Sequence, residues 1–265
     1  MKRSMWMNTI GRVAFLNCDP LFYDLDKQWE VLAAPPAWLT GHLLRRDCIL
    51  APIPAADYAR HADELILLPD IGICSRGEVG SVLVFGTTSL ENMKSIALPT
   101  DSATSVQLLK YLLKERNLDP RLELMGPDLT TMLEKCDGAL LIGDRALEEA
   151  KNHPESVQLD LGTDWLQFTQ KPMVFGVFAA RKDTPIESLR IAQGMLTENL
   201  RLFEQDTEQR EKVIQWALSR SDLDYERLDR YFGEVFNRMD KEHLSGLNEF
   251  LVNACGLQSG AEFAW

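Results

Sequence analysis

The chain has 265 residues, 40 of them acidic and 28 basic, for a net charge of −12. Apolar residues make up 45% and charged residues 26%, the balance of a globular protein with a real core in one large or two modest domains. No stretch approaches the ~20 consecutive apolar residues of a membrane-spanning helix. The acidic balance excludes a general binder of nucleic acid or anionic membrane, which needs clustered Lys and Arg, but leaves a small anionic ligand open.

Along the chain, the first fifteen residues carry early positive charge but no apolar run of ~7–15 residues before a small-residue cleavage site, so they do not read as a secretory signal. Runs rich in Val, Ile, Leu and Phe then predict a strand over 13–16, a helix over 37–45, and strands over 48–53, 65–68, 81–85 and 95–98. Next come a helix over 105–116, with Val106, Leu109 and Leu113 on one face, and a helix over 129–135. A strand over 139–142, a helix over 145–152 and a strand over 173–179 complete the alternating part. Continuous apolar strands alternating with helices imply a mostly parallel α/β sheet, buried on both faces. After Asp183 the pattern turns all-helical, over 186–203, 208–219, 225–236 and 241–254, with Gly256 as a helix-ending glycine. A boundary near 87–93 and a return near 173–181 predict a lobe of residues 91–177 inserted into one built from 1–90 and 178–265. Ligands of such lobes bind beyond the carboxyl ends of the strands.

Three segments could carry chemistry. Asn17 follows the first strand, where it is either a turn former or an uncharged donor and acceptor for a ligand. Ser102, Thr104 and Ser105 open the helix over 105–116, either as caps or as hydroxyls around an anion-binding helix start. Gly143 and Asp144 end the strand over 139–142, the glycine allowing close backbone approach and the aspartate either capping the next helix or touching a ligand. Ser81, at the entry of an apolar strand, could aim a hydroxyl into the same cleft. The chain lacks phosphate-binding glycine loops, a G-x-S-x-G elbow and an H-E-x-x-H pair. Its four histidines, at 42, 61, 153 and 243, are scattered and read as surface residues. Five cysteines at 18, 48, 74, 136 and 255, an odd number without a C-x-x-C pair, read as reduced thiols, and a cytoplasmic enzyme is the expectation.

Taken together, the segments resemble the chorismate dehydratase family of the futalosine route to menaquinone. The resemblance rests on Arg12-Val13-Ala14-Phe15-Leu16-Asn17-Cys18-Asp19-Pro20-Leu21, Ser75-x-Gly77-x-Val79-x-Ser81-Val82 and Ser102-x-Thr104-Ser105. It continues through Leu140-Leu141-Ile142-Gly143-Asp144-x-Ala146-Leu147, Asp160-Leu161-Gly162-x-x-Trp165, Tyr231 and Gly246-Leu247-x-x-Phe250, in the expected order over nearly the whole chain. It implies an α/β, two-lobed type 2 periplasmic-binding-protein-like fold with a C-terminal helical segment, used by a cytoplasmic hydro-lyase without metal or organic cofactor. The implied reaction converts the dianion chorismate to 3-[(1-carboxyvinyl)oxy]benzoate, with Asn17 in the catalytic role and no nucleic-acid or membrane partner. Ser81, Ser102, Thr104, Ser105, Gly143, Asp144 and Thr169 are the implied substrate-binding residues. Two departures stand out. Ala103 replaces the family's arginine in Ser-x-Thr-Ser, and Thr169-Gln170-Lys171-Pro172 replaces Thr-Gly-Leu-Pro, leaving Lys171 as a cation that could compensate. The alternative readings are a non-catalytic binding module for a small carboxylate and a sister enzyme of the same pathway.

Overall fold

The computed structural model describes residues 5–25 and 29–265. The first four residues of the stretch read as lacking a secretory signal lie outside them. The chain opens with β1 (Thr9–Val13), the short α1 (Asp19–Phe22), β2 (Glu30–Ala34), α2 (Pro36–Leu44), β3 (Ala51–Pro54), α3 (Ala55–Arg60) and β4 (Leu65–Ser75). A second group follows: β5 (Val82–Gly86), β6 (Ser95–Pro99), α4 (Thr104–Glu115), β7 (Arg121–Met125), α5 (Leu129–Lys135), β8 (Gly138–Ile142), α6 (Gly143–Asn152), β9 (Val157–Asp160) and α7 (Leu161–Thr169). The chain then returns through β10 (Met173–Arg181) to α8 (Ile186–Gln205), α9 (Thr207–Leu218), α10 (Tyr225–Glu234), β11 (Phe236–Arg238) and α11 (Lys241–Glu249). Gly256, at φ +75°, ends the last helical segment as expected.

The strands form two layers with one wiring plan. In the first, β11, β4, β10 and β3 are neighbours, and an isolated bridge between Ile10 and Leu50 joins β3 to the parallel pair β1 and β2. In the second the order is β7-β6-β8-β5-β9. In the first layer β10 runs antiparallel to β3 and β4, as does the edge strand β11 to β4, and in the second β5 runs antiparallel to β8 and β9. Strands β5 and β10 are the two that follow a crossing from one layer to the other. The crossings therefore fall between Ser75 and Val82 and between Thr169 and Met173. The expected changes of lobe near residues 91 and 178 come too late, because the pairing of β5 puts it in the second sheet and that of β10 puts it in the first.

Both faces of the second sheet are buried, which explains its unbroken apolar strands. Val82 and Val84 of β5, with Leu140 and Ile142 of β8, face the main core. Leu83 and Phe85, with Ala139 and Leu141, face a smaller core completed by Leu129 and Met132 of α5. The strand expected over 13–16 lies earlier, because Thr9–Val13 carries Gly11 where an apolar run was sought. A Cβ on Gly11 would come within 2.4 Å of the Ala51 Cβ, so the glycine is what lets β1 approach β3. The C-terminal helices pack on the first layer, α8 against α1 and α9, and α11 against β10. No helix among the described residues is long and apolar enough to cross a membrane.

Candidate active site

Between the two sheets lies a cavity with about 530 Å³ of empty space including its mouth. Strands β1, β3, β4 and β8 reach it with their carboxyl ends, through Val13, Ile53, Ile73 and Ile142. Strands β5 and β10 reach it with their amino ends, through Val82 and Phe175. Its walls are aliphatic and aromatic, with Phe15 and Phe175 contributing rings. The polar lining comes from Asn17, Ser81, Ser102, Thr104 and Ser105, and no Lys, Arg or His belongs to the lining among the described residues. Five of the expected site side chains thus meet in one place, together with the backbone of Gly143.

Asn17 sits in a 3-10 turn, Leu16–Cys18, rather than at a strand end. The turn is tied down on both sides. The Leu16 N–H donates to Asp144 Oδ1 at 3.1 Å, and the fully buried Asp19 pairs with both Arg12 and Arg220. Burial nevertheless raises the Asp19 carboxyl to about 6, outweighing the two guanidinium groups. The Asn17 side chain is buried in the cavity wall, and its Oδ1 has no hydrogen-bond partner. A buried acceptor left unpaired costs roughly 1–3 kcal/mol. A ligand donor would remove that cost.

The helix starts divide into two kinds. Those of α5, α7, α9, α10 and α11 are each capped by an aspartate side chain, from Asp128, Asp160, Asp206, Asp224 and Asp240. Those of α2, α3, α4 and α6 have no side-chain cap, and Pro36, Pro54, Thr104 and Gly143 at these starts all line the cavity. The short α1, directly after Asn17, and α8 are uncapped as well. None of Ser102, Thr104 and Ser105 caps α4, so capping of their own helix does not account for these hydroxyls. The N–H groups of Ala37, Ala56 and Gly143 at these starts are taken by the Asp101 carbonyl, Thr104 Oγ1 and the Ser81 carbonyl, and the positive ends of the helix dipoles face the cavity, the electrostatics that suits an anion. Thr104 Oγ1 also accepts from the Ala56 N–H at 3.2 Å, linking α4 to the start of α3.

Gly143 has φ +65°, and a Cβ there would come within 2.7 Å of the Phe15 ring. Its N–H donates to the Ser81 carbonyl at 2.8 Å. Ser81 Oγ accepts from the hydroxyl of the fully buried Tyr231 at 3.2 Å.

The sequence over residues 8–254 matches the model of the menaquinone-biosynthesis family. The chain belongs to that family. It is 37% identical over 205 residues to the chorismate dehydratase of Thermus thermophilus, an alignment covering 69% of this chain and 75% of the relative. Among solved structures, a protein from Archaeoglobus fulgidus superposes with a TM-score of 0.74 at 19% identity, over 94% of this chain and 98% of that one. A Candida albicans protein with the generic periplasmic-binding-protein fold superposes with a TM-score of 0.67 at 10% identity, over 96% of this chain and 91% of the other. This member of the menaquinone-biosynthesis family has that two-lobed fold, as expected.

Two residues expected in the binding set lie elsewhere. Asp144 does not line the cavity and does not cap α6, because its carboxylate is turned onto the Leu16 N–H. Burial raises its carboxyl to about 6. Thr169 ends α7, its hydroxyl donating to the Trp165 carbonyl at 2.8 Å and accepting from the Lys171 N–H at 3.2 Å, so it closes a helix end and not the cavity. Lys171 pairs with Glu249 at 2.7 Å and supplies no charge to the cavity in place of the arginine missing at Ala103. His243 is buried against Phe236 rather than on the surface.

Three contributors escaped the sequence reading in this menaquinone-biosynthesis family member. Phe15 and Phe175 looked like ordinary strand residues. Asp160 caps α7 and also accepts from the N–H groups of Val79 and Gly80 at 3.1 and 2.8 Å, clipping one crossing to the start of α7. Its signal was the Asp160-Leu161-Gly162 run. A Cβ on Gly162 would fall 2.3 Å from the Gly77 carbonyl, so only glycine admits that crossing.

Proposed function

We propose that the chain is a cytoplasmic hydro-lyase that dehydrates chorismate to 3-[(1-carboxyvinyl)oxy]benzoate and water in the futalosine route to menaquinone. Family membership and the relative named chorismate dehydratase support the reaction. The observation that carries the reading to this cavity is the convergence of uncapped helix starts, with Ser102, Thr104 and Ser105, on an apolar space beside the unpaired Asn17. A small dianion with an apolar ring is complementary to such a space.

In the proposed mechanism the protein supplies positions and donors rather than a strong base. The proton on the ether-bearing ring carbon passes to the substrate's own side-chain carboxylate. The electron pair left behind delocalises toward the ring carboxylate, held at the start of α4. The neighbouring carbon–oxygen bond then breaks, the hydroxide takes up a proton to leave as water, and the ring becomes aromatic. The Asn17 amide can accept from the departing hydroxyl or donate to the developing negative charge, and Ser81 faces the same space.

The test incubates purified protein with chorismate, without added cofactor, and follows the enolpyruvyl benzoate by absorbance and mass. Asn17→Asp keeps the size but puts a carboxylate beside a dianion. It is expected to lose about 10²–10³-fold in turnover, the scale of a removed transition-state donor. Near-wild-type turnover in this variant removes Asn17 from its role. Tight chorismate binding without product in the wild type replaces the enzyme by a carboxylate receptor.

A further inference from the structure

Helix α10 comes from the C-terminal helical segment, yet its buried face addresses the crossing that carries Ser81. Arg227, Tyr231 and Glu234 are spaced i, i+4 and i+7, which puts them on one side of the helix. Arg227 and Glu234 pair at 3.0 Å, and Arg230 reaches Glu234 at 3.1 Å. The pair lies directly over Gly80, which has φ +63°. A Cβ at Gly80 would be 2.3 Å from Glu234 Oε2 and 2.6 Å from Arg227 Nη2. Between the two charged residues Tyr231 is fully buried, and its hydroxyl donates to Ser81 Oγ at 3.2 Å. It is the hydrogen-bond partner of the Ser81 side chain among the described residues, and Tyr231 itself does not line the cavity. Burial raises the phenol's pKa, so it stays a proton donor at any working pH.

A serine hydroxyl has one proton to give. When its oxygen accepts from a fixed tyrosine, that proton is turned toward whatever else is in reach, which here is the cavity. We infer that Tyr231 is a positioning residue for the dehydration: by donating to Ser81 Oγ it makes Ser81 a donor to the bound substrate. The Arg227–Glu234 pair fixes the helix at the height where this contact closes. The inference rests on the proposed reaction and on Ser81 facing the substrate.

The test is a double-mutant cycle on chorismate turnover with Tyr231→Phe, Ser81→Ala and the double variant. Tyr231→Phe removes one oxygen and keeps the ring, and activities are normalised to folded protein by circular dichroism. Tyr231→Phe is expected to lower kcat about tenfold, ~1.4 kcal/mol of barrier, with KM changed less than about twofold. Ser81→Ala is expected to lose at least as much, and adding Tyr231→Phe to it should change kcat by less than about twofold. A purely structural role for Tyr231 would give a second, independent loss in the Ser81→Ala background, and that additive result overturns the inference. So does unchanged kcat in Tyr231→Phe. An active wild type with an additive cycle refutes only the role of Tyr231, whereas an inactive wild type refutes the reaction on which it rests.

Discussion

Gly143→Ala separates the demands of the backbone from those of the cavity wall. At φ +65° an alanine pays about 1–2 kcal/mol for the left-handed conformation. Its Cβ would also sit 2.7, 2.8 and 2.8 Å from Cδ2, Cε2 and Cγ of Phe15, well inside the ~3.5–4.0 Å of ordinary carbon contact. Because three ring atoms are met at once, the ring must move as a body, and overpacking of this kind costs roughly 1–3 kcal/mol. The two contributions give about 2–5 kcal/mol, or a Tm lower by on the order of 5–15 °C for a chain of this size. The ring lines the cavity and carries the Arg145 guanidinium 5.8 Å above its face, while Arg145 also pairs with Asp101 before α4. Displacing it should therefore raise KM for chorismate about tenfold. Thermal unfolding and steady-state kinetics measure both effects. Gly143→Asn, whose backbone tolerates this region, should recover part of the Tm but not the KM. A Gly143→Ala variant within ~2 °C of wild type and with unchanged KM would refute the argument.

Gln170 holds a left-handed position at φ +58°, ψ 23° where the resembling family places glycine, so Gln170→Gly should stabilise the chain by about 1 kcal/mol and raise Tm by a few degrees. A lower Tm would mean that its side-chain contacts with the end of α7 outweigh the backbone strain. Asp144 is raised from 3.8 to about 6 by burial, so its favourable contribution to stability is complete below the unfolded value and is lost as pH rises through about 6. Unfolding free energy should therefore fall by up to roughly 3 kcal/mol across that window on account of this group. Asp144→Asn should flatten that part of the profile in denaturant titrations. Equal slopes in wild type and variant would show that Asp144 does not titrate there.

What the sequence made legible was the interior. The central strands β5, β6, β8 and β10 read directly from their apolar runs, because burial on both faces leaves no polar alternation to confuse them. The strands that went unread, β2, β7, β9 and β11, are the four edges of the two layers. Half-exposed, as in Glu30–Ala34 and Arg121–Met125, they lack the unbroken burial that gives the central strands their apolar runs. The same contrast holds in the site. Asn17, Ser81 and the start of α4 could be picked from their place after or before a strand, since strand ends point into the cleft. Asp144 could not be sorted in this way. Whether a carboxylate after Gly143 caps its own helix or reaches the Leu16 N–H depends on a neighbour 128 positions away in the chain. Thr169 was carried over with a motif whose real work is to end α7 at the crossing.

That the described lining of the cavity holds no cation has a kinetic consequence. A dianion approaching a chain of charge −12 meets net repulsion, and among the described residues no lysine or arginine in the lining reverses it. Salt shortens the reach of that repulsion to ~8 Å at 0.15 M ionic strength. The attraction from amides at the helix starts acts at contact, inside the wall, where screening is weak. Capture of the proposed substrate should therefore speed up with moderate ionic strength, the reverse of an enzyme that steers its anion with basic residues. A kcat/KM that falls as salt is added would point to a cation that joins the site only when the ligand is bound.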